Sequence, residues 1–326
     1  MNTPPDLDSR PAKRARTEDE SEPVVCCEEL WYDDGNLVLQ AERTQFRVHR
    51  SILCKQSIVF RDMKEASCTS AAGSANVDGC PVVELQDSAE AIRYMLRCMY
   101  DTGILERPPT NTEILLALRM GHKYLISTLF EYAASYMHRL FPSHLADYEA
   151  DGSLFSSADR DPFEFLAIAR STGLETVIPA LCLSYLRDLD PGDLAKSVKD
   201  HTLSPEDGFM LLFARNKILD CTLLYCFKWA LDQHRHPRCV SVAACDQECL
   251  VFRDRVSDET YLEAAIDLEH GFLAPWDDLA LQVKLCPACK RKAERMHEEG
   301  RGKFWKDLPS FFGLKPWEEL HDFAIE

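Results

Sequence analysis

Long apolar runs are missing from this sequence. No stretch approaches the roughly 18 to 20 consecutive apolar residues that a membrane span needs. The first residues are rich in Pro, Asp and Glu instead of forming the apolar region of a secretion signal. Positive charge is also scarce, with 37 Lys and Arg against 54 Asp and Glu and a net charge of −17. We therefore expect a soluble intracellular protein that does not bind nucleic acid non-specifically.

Catalytic motifs are missing as well. The sequence has no G-x-S-x-G, H-E-x-x-H, P-loop or G-x-G-x-x-G pattern. No repeat recurs at a period of about 50 residues, and no C-x-x-C is followed by the two-histidine half of a zinc finger. The chain has 326 residues and is 46% hydrophobic, which suffices for two or three packed units. These features predict a non-enzymatic protein.

The most regular pattern lies between Gly35 and Met63. Leu37, Leu39 and Ala41 alternate with their neighbours, as the buried face of a half-buried strand does, and residues 46–48 repeat the alternation. After His49 the apolar residues recur every three to four positions, which is the helical period. The stretch therefore predicts a hairpin followed by a helical pair.

This stretch resembles the start of a BTB/POZ domain. The family pattern is F-x-x-H-x-x-x-L, then S-x-x-F-x-x-M, and later a helix that ends in a Tyr-x-x-Gly turn. The resemblance continues through a strand at 82–85 and a closing helical pair at 114–137, and covers roughly residues 30 to 140. The matching positions in this chain are Phe46, His49, Leu53, Ser57, Phe60, Met63, Tyr100 and Gly103.

The resemblance implies a protein-docking surface. BTB domains commonly dimerise, so protein partners and a homodimer are expected. Many also bind a cullin-type ubiquitin ligase through an apolar-x-Glu element, for which Met63 and Glu65 have the right residue types. The alternatives are therefore a dimerising interaction module, a substrate adaptor of such a ligase, and a nuclear transcriptional regulator.

The pattern along the chain predicts five regions and an α+β fold. A disordered tail at 1–27 precedes the BTB/POZ-like α/β domain at 28–140 and a polar linker at 141–160. An all-helical extension at 161–235 and a small Cys- and Trp-rich segment at 236–326 follow. Lys13, Arg14 and Arg16 in the tail resemble a nuclear import signal, although a solvated charged tail would look similar. We expect a nuclear or cytoplasmic location, or both.

A group of cysteines in the last region is the best candidate for a site. Cys286 and Cys289 form a C-x-x-C pair that can grip one metal ion from a single turn, and Cys245 and Cys249 share a helix face. Together these four predict a tetrahedral zinc site, with Cys239 or His236 as a substitute for one ligand. Free thiols and a redox C-x-x-C remain alternatives.

Two further features lie near these cysteines. Lys284, Lys290, Arg291, Lys292 and Arg295 form a basic cluster that would dock an acidic partner or a phosphate, or would pair with neighbouring glutamates as a solvated helix face. The aromatic run that follows predicts either a small core or a peptide-binding strip. This C-terminal pattern resembles that of BTB proteins common in basidiomycete fungi. Its aromatic residues are Trp305, Phe311, Phe312 and Trp317.

Overall fold

The computed structural model describes residues 23–67, 76–150, 163–231, 235–256, 273, 275–277 and 283–325. The described residues fall into two compact units. The sheet unit contains the residues up to Arg50 and the returning strands up to Ala89, and the helical unit contains the rest. The predicted nuclear signal at 13–16 lies outside the described residues.

The sheet unit is built around one five-stranded sheet with the order β1-β3-β2-β5-β4. The β2–β3 and β4–β5 pairs are antiparallel, whereas β1 pairs with β3, and β2 with β5, in parallel. The strands are β1 Val25–Trp31, β2 Leu37–Ala41, β3 Thr44–Val48, β4 Asn76–Val77 and β5 Cys80–Leu85.

The β2–β3 hairpin has the predicted position, and its two-residue turn contains Glu42 at a positive φ of 53°. The predicted alternation of buried and exposed residues is incomplete, because Val38 is as fully buried as Leu39 on the opposite face. A central strand of a sheet is covered on both faces more often than an edge strand. Strand β1 begins at Val25, so the last residues of the predicted disordered tail are in fact paired in the sheet.

His49 lies at the end of the hairpin and makes polar contacts within the sheet unit. Its Nε2 is 3.0 Å from Oδ1 of Asp34, and its ring centroid is 5.3 Å from that of Tyr32. These contacts fix the chain where it leaves β3 for the first helix.

The helical unit is made of consecutive short helices and one long C-terminal helix. A π-helical turn at Thr222–Cys226 follows α10 directly. The helices are α1 Arg50–Gln56, α2 Ile58–Ser67, α3 Ala89–Tyr100, α4 Asn111–Tyr124, α5 Ser127–Leu140, α6 Leu145–Ala150, α7 Glu164–Thr172, α8 Ile178–Asp188, α9 Pro191–Lys199, α10 Pro205–Cys221, α11 Lys228–Leu231, α12 Val242–Val256 and α13 Pro287–Phe311.

Local capping explains where several of these helices begin. Thr110 accepts the backbone N–H of Glu113, and the Glu113 carboxylate accepts the N–H of Thr110, which completes a capping box at α4. Glu113 also pairs with Arg107, and this pairing lowers the pKa of its carboxyl to about 2. Ser204 caps α10 by accepting the backbone N–H of Asp207, with Pro205 in the first turn.

The C-terminal helix packs against the segment that directly follows α5. The indole Nε1 of Trp305 donates to the carbonyl of Ser143 at 2.8 Å, and the buried guanidinium of Arg301 binds Glu149. Glu149 belongs to α6, which lies in the predicted linker. The C-terminal region is therefore not a separate small unit but part of the helical unit's core.

The aromatic run belongs to this core and not to an exposed strip. Trp305, Phe311 and Phe312 are buried, and Trp317 stacks on Trp305 with its Nε1 donating to the Trp305 carbonyl. Burying an aromatic side chain with its N–H satisfied is a large favourable contribution to folding. None of the helices in the described part of the chain is long and apolar enough to cross a membrane.

Candidate metal centre

Four cysteines of the helical unit come together at one point. The Sγ atoms of Cys239, Cys245, Cys286 and Cys289 all lie within 4.8 Å of one another. Three of the side chains are buried and that of Cys239 is partly exposed. A buried group of four thiols from two distant parts of the sequence is the donor set of a structural metal site.

Helix starts and turns position the four side chains. Cys239 follows a turn at 237–238 and donates its N–H to the carbonyl of His236 at 2.9 Å. Cys245 lies in the first turn of α12. Cys286 is the N-cap of α13, where Pro287 starts the helix, and Cys289 follows three residues later on the same turn. The backbone N–H of Cys286 donates to Sγ of Cys245 at 3.3 Å, which joins the two parts.

One sulfur–sulfur distance in the cluster matches that of a tetrahedral zinc site. A zinc–sulfur distance of about 2.3 Å places neighbouring sulfurs of a tetrahedron about 3.8 Å apart. Sγ of Cys286 is 3.8 Å from Sγ of Cys239. A disulfide would need about 2.05 Å, and all four cysteines are free thiols. The cluster could therefore hold a metal ion.

Backbone donors make one of the thiols acidic. The N–H groups of Cys289 and Val240 point at Sγ of Cys286 and lower its pKa to about 6. Burial acts in the opposite direction on its neighbours and raises the pKa of Cys245 and of Cys289, the latter to about 12. The Cys286 thiolate thus forms readily, whereas the raised pKa of Cys245 and of Cys289 favours their thiolates only where a cation is bound beside them.

The structure corrects one member of the predicted ligand set. Cys239, which the sequence offers as a substitute, takes the place of Cys249. Cys249 lies one helical turn after Cys245, displaced by about 6 Å along the axis of α12 and away from its beginning. The turn at 237–238 instead folds Cys239 back onto the cluster.

His236 contributes through its backbone. Its N–H points at Sγ of Cys289, and its ring Nδ1 accepts the N–H of Arg238 at 3.1 Å. The proline after His236 is the sequence signal that could have predicted a turn here, and with it Cys239 as a member of the cluster. The role of Val240 could not be predicted from the sequence, because its donor is a backbone N–H that every residue except proline has.

The residues of the BTB pattern occupy structural positions in both units. Phe46 of β3 is buried in the sheet unit, and Leu53, Ser57 and Phe60 are buried in the helical unit. Oγ of Ser57 donates to the carbonyl of Tyr124 at 2.6 Å and accepts the N–H of Phe60 at 3.1 Å, so it joins α2 to the end of α4. At the other positions, Tyr100 ends α3 and is partly buried, and Gly103 lies in an exposed 3₁₀ turn capped by Asp101.

The predicted cullin element lies at the end of α2. Met63 is partly exposed, and the backbone of Glu65 continues the helix. The side chain of Glu65 lies outside the described part of the structure. The apolar-x-Glu element therefore stays a prediction.

Comparison with known proteins agrees with the resemblance over this region. The family model of the BTB/POZ domain matches residues 32–140. No curated protein matches the chain. The matched range begins at Tyr32, directly after β1, and ends with α5. It includes the β2–β3 hairpin, helices α1 and α2, and the closing pair α4 and α5. The chain is thus a BTB domain-containing protein, and residues 32–140 are its BTB/POZ domain, a protein–protein interaction module.

Proposed function

We propose that this protein is a non-enzymatic interaction protein that dimerises through its BTB domain. The BTB match supports the interaction role. The exposed edge of the domain's sheet supports the dimer: β1 precedes the matched residues but pairs with β3 and so extends the sheet of the domain. Strand β1 is the last strand on its side of the described sheet, and the side chains of Val24 and Val25 at its start are 51% and 58% exposed.

An exposed edge strand readily pairs with another chain. The outer N–H and C=O groups of such a strand offer hydrogen bonds to a second strand, and apolar side chains beside them favour burial. Most soluble homo-oligomers close by twofold symmetry, in which the same patch serves both subunits. Two copies that meet at β1 would bury Val24 and Val25 and would pair the outer N–H and C=O groups of this strand.

Lysine at both positions should shift the protein from dimer to monomer. The Val24→Lys, Val25→Lys variant places positive charges on the edge of β1, where two copies would bring like charges together. Native mass spectrometry of the full chain should show a dimer for the unchanged protein. At equal concentration, the variant should be predominantly monomeric.

A matched variant distinguishes this edge from exposed valines in general. Val242 and Val251 are also exposed, and both lie on α12. The Val242→Lys, Val251→Lys variant should stay dimeric. A monomeric unchanged protein, or loss of the dimer in both variants, would contradict dimerisation through β1.

The cysteine cluster is proposed to bind one Zn²⁺ per chain. Four convergent thiols within 4.8 Å of one another support zinc over harder cations, which prefer oxygen ligands. A closed site of four protein ligands leaves no open position for a substrate. The ion would therefore hold the turn at 237–238, α12 and α13 together and would have no catalytic role.

Two finer roles of the BTB domain stay open as alternatives. A substrate adaptor would co-purify with a cullin, and Glu65→Ala would abolish that binding. A nuclear regulator would require the signal at Lys13, Arg14 and Arg16. A fluorescent fusion that is excluded from the nucleus with these residues intact would eliminate the nuclear role.

A further inference from the structure

The surface around the cysteine cluster is basic in a chain that is strongly acidic overall. The segments 235–250 and 283–295 contain seven Lys and Arg residues and three Asp and Glu residues, against a net charge of −17 for the whole chain. Exposed charges act on their surroundings over a Debye length of about 8 Å in physiological salt. A ligand at this place therefore meets the local positive charge more strongly than the distant negative charge.

Four of these cations form what we term the basic collar: Arg238, Lys284, Lys290 and Arg291. Each lies within two residues of a cluster cysteine, so all four emerge around one centre. All four side chains are exposed. Four thiolates around a divalent ion carry a net charge of about −2, so the exposed collar remains positive when metal is bound.

Two of the three acidic side chains in these segments have partners other than a collar side chain, and the third, Glu294, is exposed. Asp246 pairs with Arg235 at 2.9 Å, and Glu248 accepts the backbone N–H of Lys284 at 3.1 Å. On α13, Glu299 pairs with Arg295. The carboxylate of Glu298 pairs with Arg301 and accepts the backbone N–H of Trp276.

No ion pair joins a collar side chain to an acidic group within the described residues. The sequence-based alternative, a helix face neutralised by its own glutamates, thus accounts for Arg295 but not for the collar.

The collar also carries an exposed apolar side chain. Val240 is 80% exposed, although its N–H is directed at Sγ of Cys286 within the cluster. Its backbone is therefore held at the cluster while its side chain stands in solvent, two residues along the chain from Arg238. Exposed cations with an exposed apolar side chain near them in the sequence offer a partner both opposite charge and apolar burial.

We propose that the basic collar docks a short acidic segment of a partner protein, with an apolar side chain of that segment against Val240. A nucleic acid fits less well, because neither of the two collar segments contains a Phe, Tyr or Trp on which bases could stack. A long polyanion would also extend beyond the collar onto the acidic remainder of the chain. The collar belongs to the helical unit, and its binding does not require the proposed dimer.

Fluorescence anisotropy of the full-length, zinc-supplemented protein tests this proposal. The probe is a fluorescein-labelled decapeptide of Glu and Asp with two Leu residues. We expect saturable binding that weakens as salt rises from about 0.05 M to about 0.5 M. The Lys284→Glu, Lys290→Glu, Arg291→Glu variant should bind about tenfold or more weakly, because three attractive charges become repulsive.

The matched control reverses three exposed lysines elsewhere: Lys196→Glu, Lys199→Glu and Lys306→Glu. It changes the net charge equally and should retain the affinity of the unchanged protein. Equal loss in both variants, or no binding by the unchanged protein, would overturn the proposal. Tighter binding of a labelled ten-nucleotide oligo-dT would also overturn it and would favour a nucleic acid. The zinc content of each variant, measured in parallel, separates loss of docking from loss of the metal site.

Discussion

Replacing Cys239 by Ser is expected to release zinc from the protein, whereas replacing Cys249 by Ser should leave the metal bound. The first change removes a ligand of the cluster, and the second changes a half-buried thiol outside it. A serine hydroxyl is a poor ligand for zinc, and a three-cysteine site no longer closes the coordination shell. Elemental analysis of the dialysed protein should give about one zinc per chain for the unchanged protein and for Cys249→Ser.

Loss of the metal should also lower the stability of the helical unit. An ion that binds only the folded state, and whose free concentration is 100 times its dissociation constant, stabilises that state by about 2.7 kcal/mol. We therefore expect Cys239→Ser, and likewise Cys286→Ser, to reduce the free energy of unfolding by about 3 kcal/mol. The effect of Cys249→Ser should stay below about 1 kcal/mol.

The variants Cys239→Ser and Cys249→Ser also distinguish the ligand set seen in the structure from the set inferred from sequence spacing. If Cys249→Ser releases zinc and Cys239→Ser does not, the ligand set inferred from sequence spacing is the real one. If neither the unchanged protein nor a zinc-supplemented sample retains metal, the cluster consists of free thiols. Both outcomes would contradict the proposed centre.

The second large effect is expected at Gly300, in the middle of α13. A Cβ atom built at this position would lie 2.2 Å from the carbonyl oxygen of Tyr225 and 2.9 Å from Cα of Cys226. Both are backbone atoms of the π-helical turn, so no side-chain rotation relieves the clash. Gly300→Ala should therefore separate α13 from this turn and cost about 3 kcal/mol of stability, at the upper end of overpacking effects.

Gly302 is a matched control in the same helix. A Cβ atom there meets nothing within 4 Å. Replacing a helical glycine by alanine where space allows restricts the unfolded chain and favours the helix by about 0.5 to 1 kcal/mol. Chemical denaturation followed by circular dichroism should show Gly302→Ala to be more stable than the unchanged protein and Gly300→Ala to be much less stable. Equal stability of the two variants would show that α13 does not pack on the turn as described.

Local patterns predicted much of the fold because they depend on few neighbours. The strand pair predicted before His49 and the helices predicted after it are both present in the structure, although the alternation of burial in β2 is incomplete. The capping box at Thr110 and the cap at Ser204 need only residues within one turn, and both form. The recognition of the BTB domain rests on such local features in a fixed order, and the family model confirms it.

Features that depend on residues far apart in the chain were harder to predict from the sequence. The helix face that Cys245 and Cys249 share is real, but the cluster lies at the beginning of α12, where the chain folds back before the helix. Likewise, the composition of the C-terminal region suggested a small separate segment. Its Trp305 and Arg301 instead contact Ser143 and Glu149, more than 150 positions earlier in the sequence.

The sequence alone determined that the chain contains a BTB domain, that its last region holds a convergent group of cysteines, and that known catalytic motifs are missing. Short-range periodicity and spacing carry this information, because each element's backbone hydrogen bonds and side-chain faces are set within a few residues. Only the tertiary structure decided which four thiols meet, which cations near them make no ion pair with the residues that the structure describes, and where α13 packs. Those outcomes depend on contacts between residues far apart in the chain, which a single sequence does not encode in any local pattern.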